Sequence, residues 1–401
     1  MRISTSTIYE RGVSAIQRQQ ADLLQTQQQI ATGRRILSPA DDPVAAARAL
    51  EVSQSQAINE QYGTNTNNAK SSLGLEESIL TSVTSLVQDV RVIAVQVGNP
   101  ALDNSNRASL ATELRGRYAE LLGLANSTDS NGQYLFSGYK GSTQPFTQTA
   151  PGTVAYNGDQ GQRLIQISPS RQIAISDPGS DIFQRIKTGN GTFTASPAGS
   201  NSGTSVIGAG SVVTGYTGNN YQIQFSVAAG VTSYAVVNTT TSTTLSTGNA
   251  YTSGNAIAFA GIQVNLQGVP SAGDTFDVAP STNQDIFKTL DNLITQLETP
   301  ISSPSGSAKL NNSANAALLN LDHTLDTVLK VRASVGAQLK EIDSAKNTGD
   351  DLGLQYQQTL STLQDVDYNK AVSDLKQSAM FLEAAQQSFL KVSKLSLFNF
   401  L

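Results

Sequence analysis

The sequence predicts an α+β fold in which a long antiparallel helical bundle or coiled coil, built from both chain ends, encloses β-hairpins and an inserted β-rich domain. Both ends carry apolar residues in alternating steps of three and four, the spacing of one helix face. The middle of the chain changes to period-two alternation and Asn-Gly turns, which indicate strands. Residues 188–273 contain no Asp, Glu, Lys or Arg, which sets this segment apart from the rest.

The first helical stripe lies near the amino terminus. Its seam includes two glutamines, which weaken the apolar face: Val13, Ile16, Gln20, Leu23, Gln27 and Ile30. The pattern stops around residues 37–39. Asp42 then suits a helix N-cap and Pro43 the first helical position, so a second helix is expected to begin there and to end at residues 98–100. A third helix is expected from about Asn104.

The strand region begins after Asn126. Two Asn-Gly pairs, at residues 131–132 and 157–158, adjoin short apolar runs and predict hairpin turns. Residues 188–273 are rich in Thr, Ser, Gly, Asn and Val, with alternating runs such as 221–225. We interpret this segment as a separate β-rich domain, and a disordered low-complexity stretch is the alternative.

Helical spacing returns after Pro280, with a helix expected to start near Asp285. A seam with one polar position then follows three-four steps: Leu318, Leu321, Leu325, Val328, Arg332, Val335, Leu339 and Ile342. The glycine-containing stretch 349–353 is predicted to interrupt this helix. The last helix carries an unbroken seam: Tyr368, Ala371, Leu375, Ser378, Leu382, Ala385, Phe389 and Val392.

These elements predict three domains. Residues 1–40 and 358–401 would form a terminal coiled-coil domain, and residues 41–187 and 274–357 a helical rod domain with β-hairpins. Residues 188–273 would form the inserted outer domain. The stripe near the amino terminus has no partner nearby in sequence, whereas the last helix has a matching stripe. The two ends are therefore expected to meet.

The composition argues against several function classes. The net charge is −5 and no cluster of Lys and Arg occurs, so nucleic-acid binding is not expected. The chain has no Cys, which excludes disulfides and thiol chemistry. Residues 1–20 lack the apolar region of a cleavable signal peptide, so such a signal is not expected. No stretch approaches the roughly 18 consecutive apolar residues of a membrane span, so no membrane contact is expected.

Candidate catalytic residues are few. His323 is the single histidine, which leaves no histidine-based triad or multi-histidine metal site, and it is expected to be a solvated helix residue. The helix cap explains Asp41 and Asp42, while Asp365 and Asp367 are expected on one helix, facing different directions. The sequence therefore predicts a protein that is not an enzyme and that has no cofactor or metal site.

The two terminal helices are interpreted as assembly elements. A narrow apolar stripe is marginal for an isolated helix, and uncharged flanks suit packing against many copies of one neighbour. We expect both helices to be loosely ordered in the free subunit and to fold when subunits stack. The predicted assembly interface comprises Val13, Ile16, Leu23, Ile30, Leu375, Leu382, Phe389, Val392, Leu397 and Phe398.

Two features leave alternatives open. Residues 395–401, with two Phe and three Leu, either dock on the subunit's own core or are buried in an assembly or by an export chaperone. Arg332 is the polar residue of its seam. Either its stem packs while its charged head reaches solvent, or it forms an interhelical ion pair with an acidic residue of 44–97 or 104–128 that sets the register.

Several motifs, taken together, resemble the flagellin superfamily, and within it the flagellin-like hook-associated proteins of the hook–filament junction. The amino-terminal matches are MRIS at 1–4, QIATGRRI at 29–36 and DDPVAA at 41–46. The middle matches are YLFSG at 134–138 and YNGD at 156–159. The carboxy-terminal matches are RASVGA at 332–337, LQDVDY at 363–368, AAQQSF at 384–389 and LSLF at 395–398. Pro43 and the Leu- and Phe-rich end distinguish the chain from filament flagellins.

The resemblance implies a structural role in the bacterial flagellum, outside the cell. Subunits would be exported unfolded by the type III apparatus, with a chaperone on the carboxy-terminal helix. They would form a ring of identical copies between a preceding hook-associated protein and flagellin, with the terminal helices lining the channel. One alternative is a true flagellin filament subunit. Another, from a different class, is a surface carbohydrate-binding or adhesive module, suggested by the Thr-, Ser- and Asn-rich insert.

Overall fold

The computed structural model describes residues 5–394. Long helices occupy both ends of this part of the chain, and its strands all lie between the third and fifth helices. This arrangement confirms the predicted α+β class with helices from both chain ends. The helices are α1 Thr5–Thr32, α2 Pro43–Val97, α3 Asn104–Ala125, α4 Gly179–Phe183, α5 Ile286–Glu298, α6 Pro304–Gln364 and α7 Tyr368–Lys394.

The strands form small hairpins and two larger antiparallel sheets. In chain order they are β1 Phe146–Ala150, β2 Thr153–Tyr156, β3 Leu164–Ser168, β4 Arg171–Ala174, β5 Ile186–Lys187, β6 Phe193–Pro197, β7 Val206–Ile207, β8 Ser211–Val212, β9 Tyr221–Ala228, β10 Val231–Asn238, β11 Thr243–Ala250, β12 Ala256–Phe259, β13 Ile262–Gln267, β14 Thr275–Pro280 and β15 Asn283–Gln284. The larger sheets have the orders β11-β10-β9-β14-β6 and β12-β13-β7, with β8 also pairing with β13. Strand pairs β1–β2, β3–β4 and β5–β15 complete the pairing.

Only one of the two predicted Asn-Gly turns closes a pair. The turn at residues 131–132 lies between Thr128 and Tyr134, which form a β-bridge, as expected. The turn at residues 157–158 instead follows β2 and leads towards β3, and these strands belong to different hairpins. That part of the prediction was wrong because β2 pairs with β1, which precedes it in the chain, and not with β3, which follows the turn.

The insert has a hydrophobic core of its own, so it is folded as predicted. Both large sheets contribute fully buried side chains to this core, among them Phe193, Ile223, Val264 and Phe276. Strand β14 belongs to the same sheet as β6, so the domain extends past the predicted limit at residue 273. The prediction placed the end of the domain where the uncharged run ends. This was too early, because the charged residue Asp274 belongs to the domain.

Asp274 is buried, and none of residues 5–394 forms an ion pair with it. Its carboxylate accepts hydrogen bonds from the backbone N–H groups of Ser202, Gly203 and Ser271, at 2.8, 3.0 and 2.8 Å. Three donors satisfy the charge, which makes its burial tolerable. Asp274 therefore joins the loop before β7 to the start of β14.

The chain divides into two compact units, residues 1–65 with 344–401 and residues 66–343. The second unit contains the main core, to which α2, α3, α5 and α6 contribute apolar side chains. At its centre the rings of Phe146, Phe183 and Phe287 contact one another, with centroids 5.4 to 6.3 Å apart. The predicted limits at residues 40 and 358 do not coincide with this division.

The predicted helix starts are confirmed. Asp42 Oδ1 accepts a hydrogen bond from Ala45 N at 3.0 Å, and α2 begins at the proline after it. Asp103 and Asp285 cap α3 and α5 in the same way. Each carboxylate satisfies a backbone N–H that has no partner within the helix.

Helix α6 is continuous through Gly349 and Gly353, contrary to the predicted interruption. Asn59 of α2 contacts this part of α6, where its Nδ2 donates to the Gly349 carbonyl oxygen at 2.7 Å. A Cβ at either glycine would lie 3.5 Å from the Asn59 amide. This is an ordinary van der Waals distance, so the packing does not require glycine at either position. The helix break comes later, at residues 365–367.

Helix α2 contains an 18-residue window that is long and apolar enough to cross a membrane, by length and composition alone. Its apolar residues include Leu80, Val83, Val87 and Val90, which are almost completely buried in the main core. A core helix passes the same test, and packing against protein explains this one.

Candidate assembly site

Helices α1 and α7, from opposite ends of the chain, pack against each other in the first unit. Near one end of the pair the Tyr9 and Phe389 rings meet edge to face, with centroids 5.2 Å apart. Near the other end, the Tyr368 hydroxyl approaches Gly33. Residues early in α1 therefore face residues late in α7, and the pair is antiparallel.

The α7 side of this pair follows the predicted seam. Ala371 is buried, and the other seam residues between it and residue 389 are half-buried: Leu375, Ser378, Leu382, Ala385 and Phe389. The two ends of the predicted seam, Tyr368 and Val392, are exposed. Leu375, Leu382 and Phe389 thus lie in the contact between the chain ends, as their spacing indicates.

The α1 side uses a different set of residues from the predicted one. Ile16, Leu23 and Ile30 are half-buried as expected, but Val13 is 42% exposed, and Gln20 and Gln27 are also exposed. Their places in the contact are taken by the preceding residue in each case: Gly12, Gln19 and Thr26. Both choices keep three-four spacing, so spacing alone could not separate them.

The partner side chain decides between these two registers. A Cβ built on Gly12 would lie 2.7 Å from Cδ2 of the Phe389 ring. The ring therefore occupies space that only glycine leaves open, and this orients α1 with Gly12 inwards and Val13 outwards. The prediction that Val13 faces α7 was therefore wrong, because Gly12 occupies that position.

Apolar side chains remain exposed on both flanks of α7 after it pairs with α1. Val372 is 40% exposed and Phe381 is 46% exposed. They are separated by nine residues, about two and a half helical turns, and so project from opposite sides. Val392 lies about three turns beyond Phe381 on the same side and is also exposed. On α1, Val13 and Leu24 are exposed as well.

The connectors at the base of the helix pair also meet. We call residues 33–42 and 363–367 the connector joint. Arg35 N donates to the Gln364 carbonyl oxygen at 2.6 Å, and Val366 N donates to the Gly33 carbonyl oxygen at 2.9 Å. Arg34 and Asp365 form a β-bridge between these bonds. The two chain ends are thus joined by backbone pairing as well as by side-chain packing.

Arg35 adds side-chain bonds to the connector joint. Its NH2 group donates to the Leu363 carbonyl oxygen at 2.8 Å, and its NH1 group lies 3.3 Å from Asp42 Oδ2. Hydrogen bonding from Ala45 N, followed by the bond and charge of Arg35, lowers the pKa of Asp42 from its ordinary value. One guanidinium group therefore connects the carboxy-terminal connector to the cap of α2.

The aspartates of the joint act as caps. Asp41 Oδ2 accepts from Leu37 N at 3.0 Å and from Ser38 N at 2.7 Å, which closes a turn before α2. Asp367 Oδ1 accepts from two backbone N–H groups at the start of α7. Asp365 and Asp367 therefore lie in the break between α6 and α7, and the prediction that they share one helix was wrong.

Arg332 forms an interhelical ion pair with Glu77 of α2. Its NH2 and Nε groups lie 2.7 and 2.9 Å from Glu77 Oε1, and both side chains are about three-quarters buried. Two further ion pairs, Lys70–Asp343 and Arg91–Asp322, connect α2 and α6 in the same antiparallel order. Of the two alternatives for Arg332, the structure contains the ion pair, while its role in register stays a prediction.

His323 is not a solvated residue, contrary to expectation. It is partly buried on α6, and its Nε2 lies 3.1 Å from the carbonyl oxygen of Gly189. A hydrogen bond to a loop of the insert explains it without any catalytic role. Among residues 5–394, no group of three or more His, Asp or Glu side chains has the arrangement of a metal site.

Comparison with known proteins matches the amino-terminal part of the chain to a family model and the full chain to a relative. Residues 3–141 match the family described as bacterial flagellin N-terminal helical region. The chain is 30% identical to the flagellar hook-associated protein 3 of Salmonella typhimurium, over 100% of this chain and 99% of that relative. The chain belongs to the flagellar hook-associated protein 3 family.

Two solved structures that are similar to this chain are FlgL proteins. The FlgL of Xanthomonas campestris is 32% identical, with a TM-score of 0.73 over 77% of this chain and 99% of that one. The flagellar junction protein FlgL of Legionella pneumophila is 31% identical, with a TM-score of 0.70 over 79% of this chain and 100% of that one. The resemblance of the motifs to the flagellin superfamily is thereby confirmed, and these relatives are structural flagellar proteins.

The family motifs now have structural explanations. The run at residues 29–36, the capped turn at 41–46 and the run at 363–368 come together in the connector joint. Sequence reasoning found these runs but not their contact, and it missed Gly12, Gln19, Thr26 and Glu77. Leu397 and Phe398 of the predicted interface lie outside the described residues, as does the run at 395–398.

Proposed function

We propose that this chain is the structural subunit that joins the hook to the filament of the bacterial flagellum, and that it assembles through the α1–α7 pair. Membership of the hook-associated protein 3 family over the full chain supports this role more than that of a true flagellin. The observation that carries the proposal is the pair of apolar flanks on α7, which remain exposed after α1 has packed.

Flanks on opposite sides of one helix indicate how copies would meet. A two-fold dimer uses the same surface patch on both subunits, whereas two different patches lead to head-to-tail contacts that close into a ring or continue as a helix. One side of α7 presents Val372 and the other presents Phe381 and Val392. Each subunit would therefore pack between two neighbours, as a ring of identical copies requires.

The proposed partners and location follow from this role. The ring would contact a preceding hook-associated protein on one side and flagellin on the other, outside the cell. An export chaperone would cover α7 beforehand, because its flanks are apolar and lack a partner within the subunit's described residues. We also propose that α1 and α7 are loosely ordered in the free subunit, since their contact includes Gln19, Thr26 and Ser378. Rigid, protected helices at residues 10–30 and 365–395 in NMR spectra of the free subunit would refute this.

Charge substitutions on the two flanks test the assembly site. Val372→Asp and Phe381→Asp each place a charge in a contact that is apolar in the proposed ring. We expect either variant to reduce incorporation at the ends of purified hook–basal bodies more than tenfold, as judged by electron microscopy and sedimentation. Ser373→Asp introduces the same charge at an exposed polar position of α7 that points about 80° away from Phe381 and about 100° away from Val372, and it should leave incorporation unchanged.

The same experiment separates the alternatives. Circular dichroism of each variant checks that the fold is retained. Equal incorporation of all three variants would exclude the flanks of α7 as assembly surfaces. Wild-type protein that forms a single short zone supports the junction role, whereas unlimited filaments would show a true flagellin.

A further inference from the structure

The chain contains three Asn-Gly pairs, at residues 131–132, 157–158 and 190–191. In such a pair the backbone nitrogen of the glycine can attack the side-chain carbonyl carbon of the asparagine, because glycine has no Cβ to obstruct the approach. The reaction requires the asparagine side chain to leave its native position and turn towards the following peptide. The surroundings of the three side chains therefore decide which pair can react in the folded protein.

Asn131 is the least restrained of the three asparagines. It is exposed, and within residues 5–394 its side-chain amide makes no hydrogen bond. Its backbone N–H donates to Asp129 Oδ1 at 2.8 Å, a bond that leaves the side chain free to turn. A Cβ built on Gly132 would meet nothing within 4 Å, so the peptide that must rearrange also has open space around it.

Asn157 is half-buried and held by two hydrogen bonds. Its Nδ2 donates to the Gln144 carbonyl oxygen at 3.3 Å and to Thr147 Oγ1 at 3.0 Å. A Cβ built on Gly158 would lie 2.5 Å from the Tyr156 ring, so this glycine is closely packed. The side chain and the following peptide are both restrained at this pair.

Asn190 is held at both ends of its side-chain amide. Its Oδ1 accepts from Thr192 N and Phe193 N, each at 3.0 Å. Its Nδ2 donates to the carbonyl oxygens of Ala209 and Gly210 at 3.3 and 3.2 Å. Like Asn157, this side chain cannot reach the following peptide without losing two or more hydrogen bonds.

The attacking nitrogens do not distinguish residues 131–132 from residues 190–191. Gly132 N donates to the Asp129 carbonyl oxygen at 3.0 Å, and Gly191 N donates to the Thr188 carbonyl oxygen at 3.2 Å. Both turns must open before the nitrogen can react, so this cost is common to the two pairs. The side-chain bonds remain as the difference, and breaking two typical bonds should slow the reaction by roughly tenfold or more.

We propose that Asn131 is a site of spontaneous deamidation in the folded protein. Gly132 N bonds to Asn131 Cγ and gives up its proton, which passes through water to Nδ2 as the bond between Cγ and Nδ2 breaks. Nδ2 leaves as ammonia, and one water molecule then opens the cyclic imide at either of its carbonyl groups. The products are aspartate and isoaspartate, so each modified subunit gains a negative charge at neutral pH. This inference is independent of the proposed assembly role.

Isoaspartate would lengthen the backbone of a paired turn. Asp129 N donates to the Gln133 carbonyl oxygen at 2.8 Å, and Thr128 forms a β-bridge with Tyr134. An additional methylene group between the two strands of this turn changes their register, so the pairing is expected to weaken. Deamidation at Asn131 would therefore loosen the segment that leads into the buried residue Leu135.

Prolonged incubation of the purified full-length protein at mildly alkaline pH, followed by peptide mapping with mass spectrometry, tests the site. We expect Asn131 to convert at least about tenfold faster than Asn157 or Asn190. In protein unfolded by urea the three rates should converge, because each asparagine precedes a glycine. A rate at Asn131 no greater than at the other two sites in folded protein would overturn the proposal. This measurement needs no variant.

Thr147→Ala tests the restraint directly, because it removes one acceptor from Asn157. The rate at Asn157 should rise about fivefold while the rate at Asn131 stays unchanged. An unchanged rate at Asn157 would contradict the role given to side-chain bonds.

The effect on the turn is measured by hydrogen exchange at residues 128–134. Incubated protein should exchange at least about threefold faster than fresh protein and than Asn131→Asp, which carries the charge without the longer backbone. Equal exchange in incubated and fresh protein would contradict the expected weakening.

Discussion

At Gly12 the α1–α7 pair makes room for the Phe389 ring, and two opposing effects meet at this one residue. Glycine inside a helix costs roughly 1 kcal/mol relative to alanine because of its greater backbone entropy in the unfolded chain. A methyl group here would stand 2.7 Å from the ring, closer than atoms pack without a shift. Overpacking typically costs about 1–3 kcal/mol, so the steric effect should exceed the gain in helix propensity.

Gly12→Ala is therefore expected to destabilise the helix pair by up to about 2 kcal/mol, which is the overpacking cost less the gain in helix propensity. Gly63→Ala is the matched control, because Gly63 lies in α2 of the same unit and a Cβ there meets nothing within 4 Å. The control should gain up to about 1 kcal/mol. Amide hydrogen exchange of assembled protein, read over α1 and α7, measures the difference. Faster exchange in the control than in Gly12→Ala would contradict the steric explanation.

Glu76 is a buried carboxyl group of the second unit, and its titration links stability to pH. Burial is the main cause that raises its pKa from 4.5 to about 8, and the nearby Asp177 carboxylate acts in the same direction. Hydrogen bonding from Asp177 N and the charge of Arg163 only partly oppose this rise. The folded protein thus holds a proton that the unfolded chain releases above about pH 4.5.

The sign of the pH dependence follows from this proton. Since the folded state binds more protons between the two pKa values, stability falls as pH rises from 4.5 towards 8, by at most about 5 kcal/mol. Glu76→Gln should remove most of this slope, whereas Glu113→Gln, at an exposed site on α3, should keep it. Urea unfolding at pH 5, 7 and 9 measures the slopes. Parallel curves for wild type and Glu76→Gln would be the contrary result.

Among the secondary-structure elements, the connector joint pairs the segment after α1 with the segment between α6 and α7. Helix α6 ends at Gln364 and α7 begins at Tyr368, with Asp367 capping the new helix. Arg35 reaches across from the other chain end to the last turn of α6. A single exposed ion pair contributes little, but the Arg35 guanidinium also satisfies a helix-end carbonyl oxygen.

Arg35→Ala is expected to loosen the joint by about 1 kcal/mol, mainly through the lost bond to the Leu363 carbonyl oxygen. Arg34→Ala provides the control, since the Arg34–Asp365 bridge is made by backbone atoms. Hydrogen exchange at residues 33–37 and 363–366 should quicken about fivefold in Arg35→Ala and change little in the control. Equal exchange in both variants would show that backbone pairing alone holds the joint.

At the scale of the whole molecule, the insert enters and leaves its neighbouring helices at one point. The N–H of Ser281 donates to the Thr192 carbonyl oxygen at 2.9 Å, and Phe193 pairs with Pro280 in the first sheet. Its core shares no buried residue with the main core of the second unit. These features are typical of a domain that can be removed without unfolding what it is inserted into.

Replacing residues 193–280 by two glycines should therefore leave the helices folded and assembly at hook ends intact. Deleting residues 188–273, the limits predicted from sequence, should destabilise the protein by a few kcal/mol, because it removes Thr188 and leaves β14 without β6 and β9. Thermal unfolding and the hook-binding assay compare the two deletions. Glycan binding lost in the first deletion, with motility retained, would support the adhesive alternative.

Elements whose causes are local could be predicted from the amino-acid sequence. Caps such as Asp42 and Asp285 act within one turn, and the period of apolar residues marks α6, α7 and the strands of the insert. For the same reason the motifs that identify the superfamily could be recognised. The sequence also predicted which face of α7 meets α1, because the apolar residues of α7 follow one unbroken three-four spacing and no alternative spacing fits.

Features that depend on partners distant in sequence could be read from the folded chain but not from the sequence. Gly12 faces inwards because of a ring at residue 389. Helix α6 continues through Gly349, whose carbonyl oxygen accepts a hydrogen bond from Asn59 of α2. His323 bonds to a loop more than a hundred residues away, with the separation set by the fold. The spacing of apolar residues and helix propensity describe one segment at a time, whereas steric fit and hydrogen bonding depend on two segments in contact. The pairing of the ends was predictable, but the atoms through which they meet were not.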